Sequence, residues 1–123
     1  MNLFLITFFG LFSLDRGLKL YFLRAGEYVE NSKFLIGNFD LPVELIILVV
    51  VFLIYLFSQR KRWGLFLILV GGVCNLVDRL YYGYVIDYMR IGKLPVFNVA
   101  DVYINIGVGL FILELLVDKE TVK

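Results

Sequence analysis

The chain contains no histidine and only one cysteine, and both shortages remove familiar kinds of chemistry. Without histidine, a protein loses its usual general base near neutral pH and the commonest ligand for metal ions. Cys74 lies alone in an apolar run, so it has no partner for an internal disulfide, and a catalytic thiol would need a base. We therefore interpret Cys74 as a packing residue, and we expect neither a bound metal nor a cofactor.

The chain also lacks an excess of charge of either sign, because 12 Lys and Arg residues nearly balance 11 Asp and Glu residues and leave a net charge of +1. Such a balance provides no strong field for nucleic acid, and we expect no nucleic-acid partner. Apolar residues, by contrast, make up 61% of the chain, and the mean hydropathy is +0.87. In soluble domains, apolar residues make up about 45–50% of the chain. A domain this small has too much surface to hide the excess, so we expect membrane lipids around it.

Four apolar runs predict an all-α membrane protein with four transmembrane helices in one domain, residues 1–123. The predicted spans are about 3–22, 41–59, 63–82 and 100–118. Each uninterrupted run is shorter than the ~20 residues that cross a bilayer, so each span must extend through polar residues at one end. The first run lacks the basic segment and small-residue cleavage site of a secretory signal, and we interpret it as a retained helix.

The charged loop between the second and third runs predicts the orientation of the protein. Residues 58–63 read SQRKRW, and three adjacent positive charges in a short loop favour the cytoplasmic side. Four spans would then place both termini in the cytoplasm. The polar residues that flank the spans would gather at the outer face, and these are Asp15, Lys19, Asp40, Glu44, Asn75, Asp78, Arg79, Asp87, Asn98 and Asp101.

Several of these polar residues have simple structural explanations. Asp15 and Lys19 are four residues apart and would form an ion pair on one helix face. Pairing would likewise account for Asp78 and Arg79, since charges within apolar segments persist when they are paired. Asp101, taken alone, is a carboxylate near a helix N-terminus, where the free N–H groups stabilise it.

Asp87 and Asp101 together suggest chemistry. Two carboxylates that meet in a site of low dielectric do not both ionise easily, so one of them retains a proton. The ionised partner can take a proton from water, and the protonated one can donate to a peptide carbonyl. That is the chemistry of an aspartic peptidase, and it requires neither metal nor histidine.

Four short motifs in order resemble those of bacterial lipoprotein signal peptidase, also called signal peptidase II. Residues 71–79 read GGVCNLVDR and resemble its GGxxNxxDR motif, while residues 97–101, FNVAD, match its FNxAD motif. Residues 85–88, VIDY, resemble VxDF with Tyr for Phe, and residues 15–19, DRGLK, resemble DxxxK. Residues 85–88 and 96–97 also alternate in a way that permits short extended segments near the membrane surface.

The resemblance implies a four-helix transmembrane bundle with a small extracytoplasmic β-like cradle, in the inner membrane of a bacterium. It implies a catalytic pair of Asp87 and Asp101 and a diacylglyceryl-modified prolipoprotein substrate, cleaved just before its lipidated cysteine. Asn75 and Arg79 would bind the substrate backbone, and Asn98 would hold the pair and contribute to binding. Asp15, Lys19 and Asp78 would support the architecture. We expect a monomer.

One family motif is missing, and this leaves an alternative open. The family carries NxGxAF between its first two helices, with an Asn facing the active site, and no such motif occurs here. Asn38 would take that place, with Asn31 as the alternative. The first loop is also short for the family, which affects the expected substrate cradle more than the chemistry.

Two other classes of function compete with a peptidase. A non-enzymatic ion or proton pathway also places Asp, Asn and Arg within a bundle, but it predicts polar residues spread through the membrane depth. An inactive peptidase relative or a structural subunit is the second alternative. We interpret the glycine pairs of this chain, Gly71, Gly72, Gly107 and Gly109, as sites of close helix packing rather than ligand loops.

Overall fold

A computed structural model of the chain describes residues 2–32, 35–36, 41–57 and 62–121, and within these residues the protein is mostly helical. The helices are α1 (Leu3–Ala25), α2 (Val43–Phe57), α3 (Trp63–Tyr82) and α4 (Val99–Thr121). Among the described residues, α3 and the Val99–Asp118 part of α4 are long and apolar enough to cross a membrane, and α2 is a shorter apolar helix. The predicted helical fold is confirmed, while four membrane crossings remain a prediction.

Two glycine caps turn the chain from helices into strands. Gly26 ends α1 with a φ of 72°, and Gly83 ends α3 with a φ of 86°. Both angles lie in the left-handed region, which glycine enters without steric cost. The Gly83 N–H donates to the carbonyl oxygen of Arg79, which lies in the last turn of α3. Both helices therefore end at a left-handed glycine, and each leads within a few residues to a short strand.

These short strands form small antiparallel sheets. Strand β1 (Val29–Asn31) pairs with β4 (Val85–Asp87), and Val29 lies opposite Asp87. A second pair joins β2 (Leu35–Ile36) and β3 (Leu41–Pro42). After β4 the chain forms a bridge between Met89 and Phe97 and then enters α4. The extended segments predicted at residues 85–88 and 96–97 are thus confirmed at Val85–Asp87 and at Phe97.

Glycines allow α3 to pack closely against α4 and α2. A Cβ atom on Gly107 would lie 2.7 Å from the carbonyl oxygen of Gly64, and one on Gly71 would lie 2.5 Å from a carbonyl oxygen of α4. A Cβ on Gly72 would lie 2.6 Å from a leucine side chain of α2. The packing interpretation is confirmed at Gly71, Gly72 and Gly107. A Cβ on Gly109 would meet no atom of the described residues within 4 Å, so that glycine faces open space.

Contacts between the helices show the direction in which each helix runs relative to the others. Phe4 near the start of α1 stacks on Trp63 at the start of α3, with ring centroids 4.3 Å apart. The Tyr103 hydroxyl in α4 donates to the carbonyl oxygen of Leu11 at 3.0 Å. A later residue of α1, Arg16, donates to the carbonyl oxygen of Cys74 later in α3, so these two helices run parallel. The glycine contacts described above show that α4 runs antiparallel to α3. Cys74 is fully buried in the core beside these contacts, as expected of a packing residue.

Candidate active site

Asn98 holds both carboxylates of the candidate pair. Asp87 ends β4, and Asp101 lies in the first turn of α4. The Asn98 side-chain amide Nδ2 donates to Asp87 Oδ1 at 2.7 Å, and the Asn98 backbone N–H donates to Asp101 Oδ2 at 3.0 Å. Its own Oδ1 accepts from the Asp101 backbone N–H at 3.1 Å, so Asn98 also caps α4. One buried residue thus joins the strand carrying Asp87 to the helix carrying Asp101.

Two further asparagines complete the hydrogen bonds to the pair. Asn75 Nδ2 donates to Asp101 Oδ1 at 3.0 Å, and Asn31 Nδ2 donates to Asp87 Oδ2 at 3.0 Å. Each of the four carboxylate oxygens therefore accepts a hydrogen bond from an amide N–H. Amide donors fix the position of a carboxylate without a formal positive charge against it. The two carboxylates are held in place by neutral groups.

Burial changes the acidity of Asp87, of which only 2% is exposed. Loss of solvent around its charged form raises the pKa of Asp87 to about 6, and the nearby charge of Asp101 acts in the same direction. The hydrogen bonds from Asn31 and Asn98 oppose this rise. A carboxyl group with such a pKa exchanges its proton readily near neutral pH, which suits an acid–base role.

Arg79 lies against the strand that supplies Asn31. Its guanidinium Nη1 donates to the backbone carbonyl oxygen of Asn31 at 3.3 Å, and the side chain is buried. The contact ties the end of α3 to β1 and so helps to place the Asn31 amide beside Asp87. Of the two asparagines considered for the missing motif, Asn31 reaches the pair, whereas Asn38 lies outside the described residues.

A group of four charged side chains lies behind Asn75, which separates it from Asp101. Lys19 Nζ lies 3.1 Å from Asp15 Oδ2 and 2.9 Å from Asp78 Oδ2. Arg16 Nη2 lies 2.7 Å from Asp15 Oδ2 and 2.6 Å from Asp78 Oδ1. The i, i+4 pair of Asp15 and Lys19 was predicted. Two cations against two carboxylates leave no net charge, which is how ionised groups persist in an apolar interior.

Sequence reasoning missed Arg16, to which it gave no role in this group. Arg16 also donates to the backbone carbonyl oxygen of Cys74 at 2.9 Å, so it links α1 to α3 beside the site. A signal was present, because Arg16 and Lys19 lie three residues apart on one face of α1, which holds one acid, and a cation in an apolar helix requires a partner. What the sequence did not reveal is that Asp78 would come from another helix to meet it.

Glu114 and Arg62 lie at the opposite end of the bundle. The Glu114 carboxylate accepts hydrogen bonds from the backbone N–H groups of Trp63 and Gly64, at 3.1 and 2.9 Å. It therefore caps the start of α3, whose first N–H groups have no partner within the helix. Arg62 pairs with Asp118 at 2.7 Å beside it. Helix capping accounts for Glu114, and ion pairing accounts for Arg62 and Asp118.

Comparison with known proteins identifies relatives along most of the chain. The signal peptidase (SPase) II family profile matches residues 15–117. The lipoprotein signal peptidase of Thermodesulfovibrio yellowstonii is 40% identical over 98 residues, which cover 69% of this chain and 65% of that protein. That of Haemophilus ducreyi is 45% identical over 67 residues, 51% of this chain and 42% of its own length. The chain thus matches between 42% and 65% of the length of these two curated relatives.

A solved structure described as a bacterial membrane enzyme has the same fold. It superposes with a TM-score of 0.79 at 21% sequence identity, and the alignment covers 98% of this chain and 91% of the other. A second bacterial membrane enzyme gives a TM-score of 0.74 at 22% identity and covers 92% of each chain. At this level of identity, the likeness concerns the fold alone.

Proposed function

The chain belongs to the signal peptidase II family, and on this basis we propose that it is an aspartic endopeptidase of the membrane. Its substrate would be a prolipoprotein whose cysteine carries diacylglycerol, and the cut would fall just before that cysteine. The observation that carries the proposal is the bridge made by Asn98, which hydrogen-bonds to Asp87 and to Asp101 at once.

The bridge supports the following chemistry. A water molecule held between Asp87 and Asp101 is activated by whichever carboxylate is ionised, while the protonated partner donates to the carbonyl oxygen of the scissile bond. The raised pKa of Asp87 is consistent with a proton that is shared or exchanged in the working pH range. Water attacks the peptide bond directly, so no covalent intermediate forms on the enzyme.

Asn75 and Arg79 lie beside the elements along which the substrate backbone would run. Each amide Nδ2 carries two hydrogens, and the contact to Asp101 uses one of those on Asn75. The Arg79 guanidinium lies against β1, where it donates to the backbone carbonyl oxygen of Asn31. We propose that both residues bind the extended substrate chain next to the β1–β4 sheet, and that Asn31 takes the place expected of the asparagine in the missing motif.

The bundle would cross the inner membrane of a bacterium four times as a monomer, with both termini in the cytoplasm. Helices α1 and α2 would cross together with α3 and α4, each extended by its flanking residues. Arg62, Asp118 and the start of α1 lie at one end of the bundle, and Asp87 and Asp101 lie at the other. The positive loop would face the cytoplasm, and the carboxylate pair would then lie near the outer face, where a lipid-anchored substrate would present its cleavage site.

An ion or proton pathway is the less favoured function. Such a pathway needs polar groups in sequence across the membrane. Glu114 is the acidic residue nearest the middle of α4, and its two oxygens accept from the first N–H groups of α3. Its role as a helix cap removes the residue on which a relay would most depend.

A cleavage assay tests the proposal. The purified protein in detergent micelles would be incubated with a diacylated prolipoprotein, and loss of the signal peptide would be followed by gel shift. Asp87→Asn and Asp101→Asn should each abolish cleavage, and a substrate without lipid should not be cut. Cleavage that survives both substitutions would show that other residues carry the reaction.

A matched control separates chemistry from folding. Asp118→Asn removes a carboxylate from the same helix as Asp101, but at the far end, where Asp118 pairs with Arg62. This variant should keep its activity at permissive temperature. Well-folded wild-type protein that fails to cleave would instead identify an inactive relative of the family.

A further inference from the structure

We propose that Lys19 is a positioning residue, which fixes the orientation of the Asn75 side-chain amide and so directs an N–H group at Asp101. The structural part of this inference concerns hydrogen bonds alone, whereas its consequence for catalysis rests on the proposed function. Lys19 is 1% exposed and lies on α1, a helix that supplies no residue in hydrogen-bond contact with the carboxylate pair among the described contacts.

The Asn75 amide makes three hydrogen bonds, and they distinguish its two ends. Its Oδ1 accepts from Lys19 Nζ at 3.2 Å and from Asn98 Nδ2 at 3.1 Å. Its Nδ2 donates to Asp101 Oδ1 at 3.0 Å. A rotation of the amide by half a turn would place Oδ1 against the Asp101 carboxylate and Nδ2 against the lysine ammonium. Both contacts would then be repulsive.

Lys19 determines which of the two amide orientations Asn75 adopts. An ammonium carries three donors and no acceptor, so it tolerates only the oxygen end of an amide. Asp15 and Asp78 hold that ammonium at 3.1 and 2.9 Å, which leaves its third hydrogen for Asn75. Asn98 supports the same orientation, but its Nδ2 divides two hydrogens among Asn75, Asp87 and the carbonyl oxygen of Ile86. The lysine ammonium therefore fixes the orientation of the Asn75 amide, and through it the N–H group that points at Asp101.

Arg16 provides a matched comparison within the same group. It lies 2.7 Å from Asp15 and 2.6 Å from Asp78, the two carboxylates that Lys19 also contacts, and its other bond goes to the Cys74 backbone. Lys19→Met and Arg16→Met each remove one positive charge from the group. Only the first removes the hydrogen bond to the Asn75 side chain. A purely structural or electrostatic role predicts similar effects, and a positioning role predicts different ones.

The first experiment reads the amide directly and does not depend on activity. The chain has six asparagines, so protein labelled with ¹⁵N-asparagine gives a small set of side-chain NH₂ signals. The Asn75 signal, assigned from an Asn75→Ala sample, should move or broaden in Lys19→Met and stay in place in Arg16→Met. An Asn75 signal that is unchanged in Lys19→Met, or equally changed in both variants, would overturn the inference.

The second experiment reads the consequence for the reaction. The kcat of Lys19→Met should fall about tenfold or more below that of Arg16→Met, the size expected for a lost hydrogen bond to a charged group. Lys19→Arg should recover part of the loss, because a guanidinium is also a donor without an acceptor. The half-maximal pH of kcat should shift in Lys19→Met relative to Arg16→Met. Equal kcat values and pH profiles in these two variants would refute the catalytic role.

A double variant keeps the test decisive if Lys19→Met fails to fold. Lys19→Met combined with Asp15→Asn leaves Arg16 opposite Asp78, which restores a neutral group of charges. The Asn75 signal and kcat should still differ from those of Arg16→Met combined with Asp15→Asn. Inactive wild-type protein would refute the proposed function and the catalytic role together, while the amide signals would still decide whether Lys19 orients Asn75.

Discussion

Replacing Asp87 by asparagine should make the protein more stable at alkaline pH while it removes the proposed activity. Burial raises the pKa of Asp87 from its ordinary 3.8 to about 6. One pKa unit corresponds to about 1.4 kcal/mol, so the ionised carboxylate costs at most about 3 kcal/mol of folding free energy. The asparagine loses one hydrogen bond, because its own NH₂ would face the Asn31 donor, at a cost of about 1 kcal/mol. A net gain of about 1–2 kcal/mol remains.

The sign of this effect depends on pH. Between about 4 and 6 the folded state binds more protons at Asp87 than the unfolded state does, so stability falls as the pH rises through that interval. The penalty is complete above it and absent below it. Asp87→Asn should therefore raise the Tm at pH 8 and lose this advantage over wild type near pH 3.5.

Thermal unfolding in detergent micelles at the two pH values measures the effect. Glu27→Gln, which removes an exposed carboxylate after α1, serves as the control and should differ little from wild type at either pH. A Tm of Asp87→Asn at or below that of wild type at pH 8 would refute the reasoning, as would an equal gain at both pH values.

Three further substitutions probe the packing and caps that hold the site. Asn98→Ser should keep the cap of α4 but lose the bonds of its buried Nδ2, so the Tm should fall, and cleavage measured well below that Tm should fall about tenfold or more; full activity of the folded variant would assign Asn98 to stability alone. Gly107→Ala should lower stability by about 1–3 kcal/mol in denaturant unfolding, because its Cβ would lie 2.7 Å from a backbone oxygen of α3. Gly109→Ala, with nothing within 4 Å in the described residues, is its control, and equal losses would contradict the packing argument. Glu114→Ala should lower the Tm by removing the cap of α3, at a cost of about 1 kcal/mol or more, with Glu114→Gln intermediate; an unchanged Tm in Glu114→Ala would show that the cap contributes nothing.

The helices and the local strand near Asp87 were predictable because their signals are local. Apolar runs of sufficient length predict helices wherever no proline or charge interrupts them, and the spacing of Asp15 and Lys19 predicts a pair on one face. Whether Asp87 and Asp101 perform the reaction remains a prediction, although the structure brings Asn98 to both of them.

Contacts between distant segments were not predictable in the same way. The partners of Arg16 and Glu114 lie on other helices, and single-sequence periodicity shows which face a residue occupies but not what meets it. Asn31 illustrates the difficulty further. Its amide reaches Asp87 only because β1 pairs with β4, and the register of two three-residue strands has no strong sequence signal.

The separation of charges in this bundle has a chemical consequence. A lysine in direct contact with Asp101 would stabilise the ionised carboxylate and oppose the sharing of a proton that an aspartic pair requires. Here Lys19 instead contacts Asp15 and Asp78 and reaches Asp101 only through the neutral amide of Asn75. Lys19 thereby orients the Asn75 amide that donates to Asp101, while its own positive charge stays one residue away from that carboxylate. An apolar setting makes this arrangement important, because two charges at a given distance interact more strongly there than they do in water.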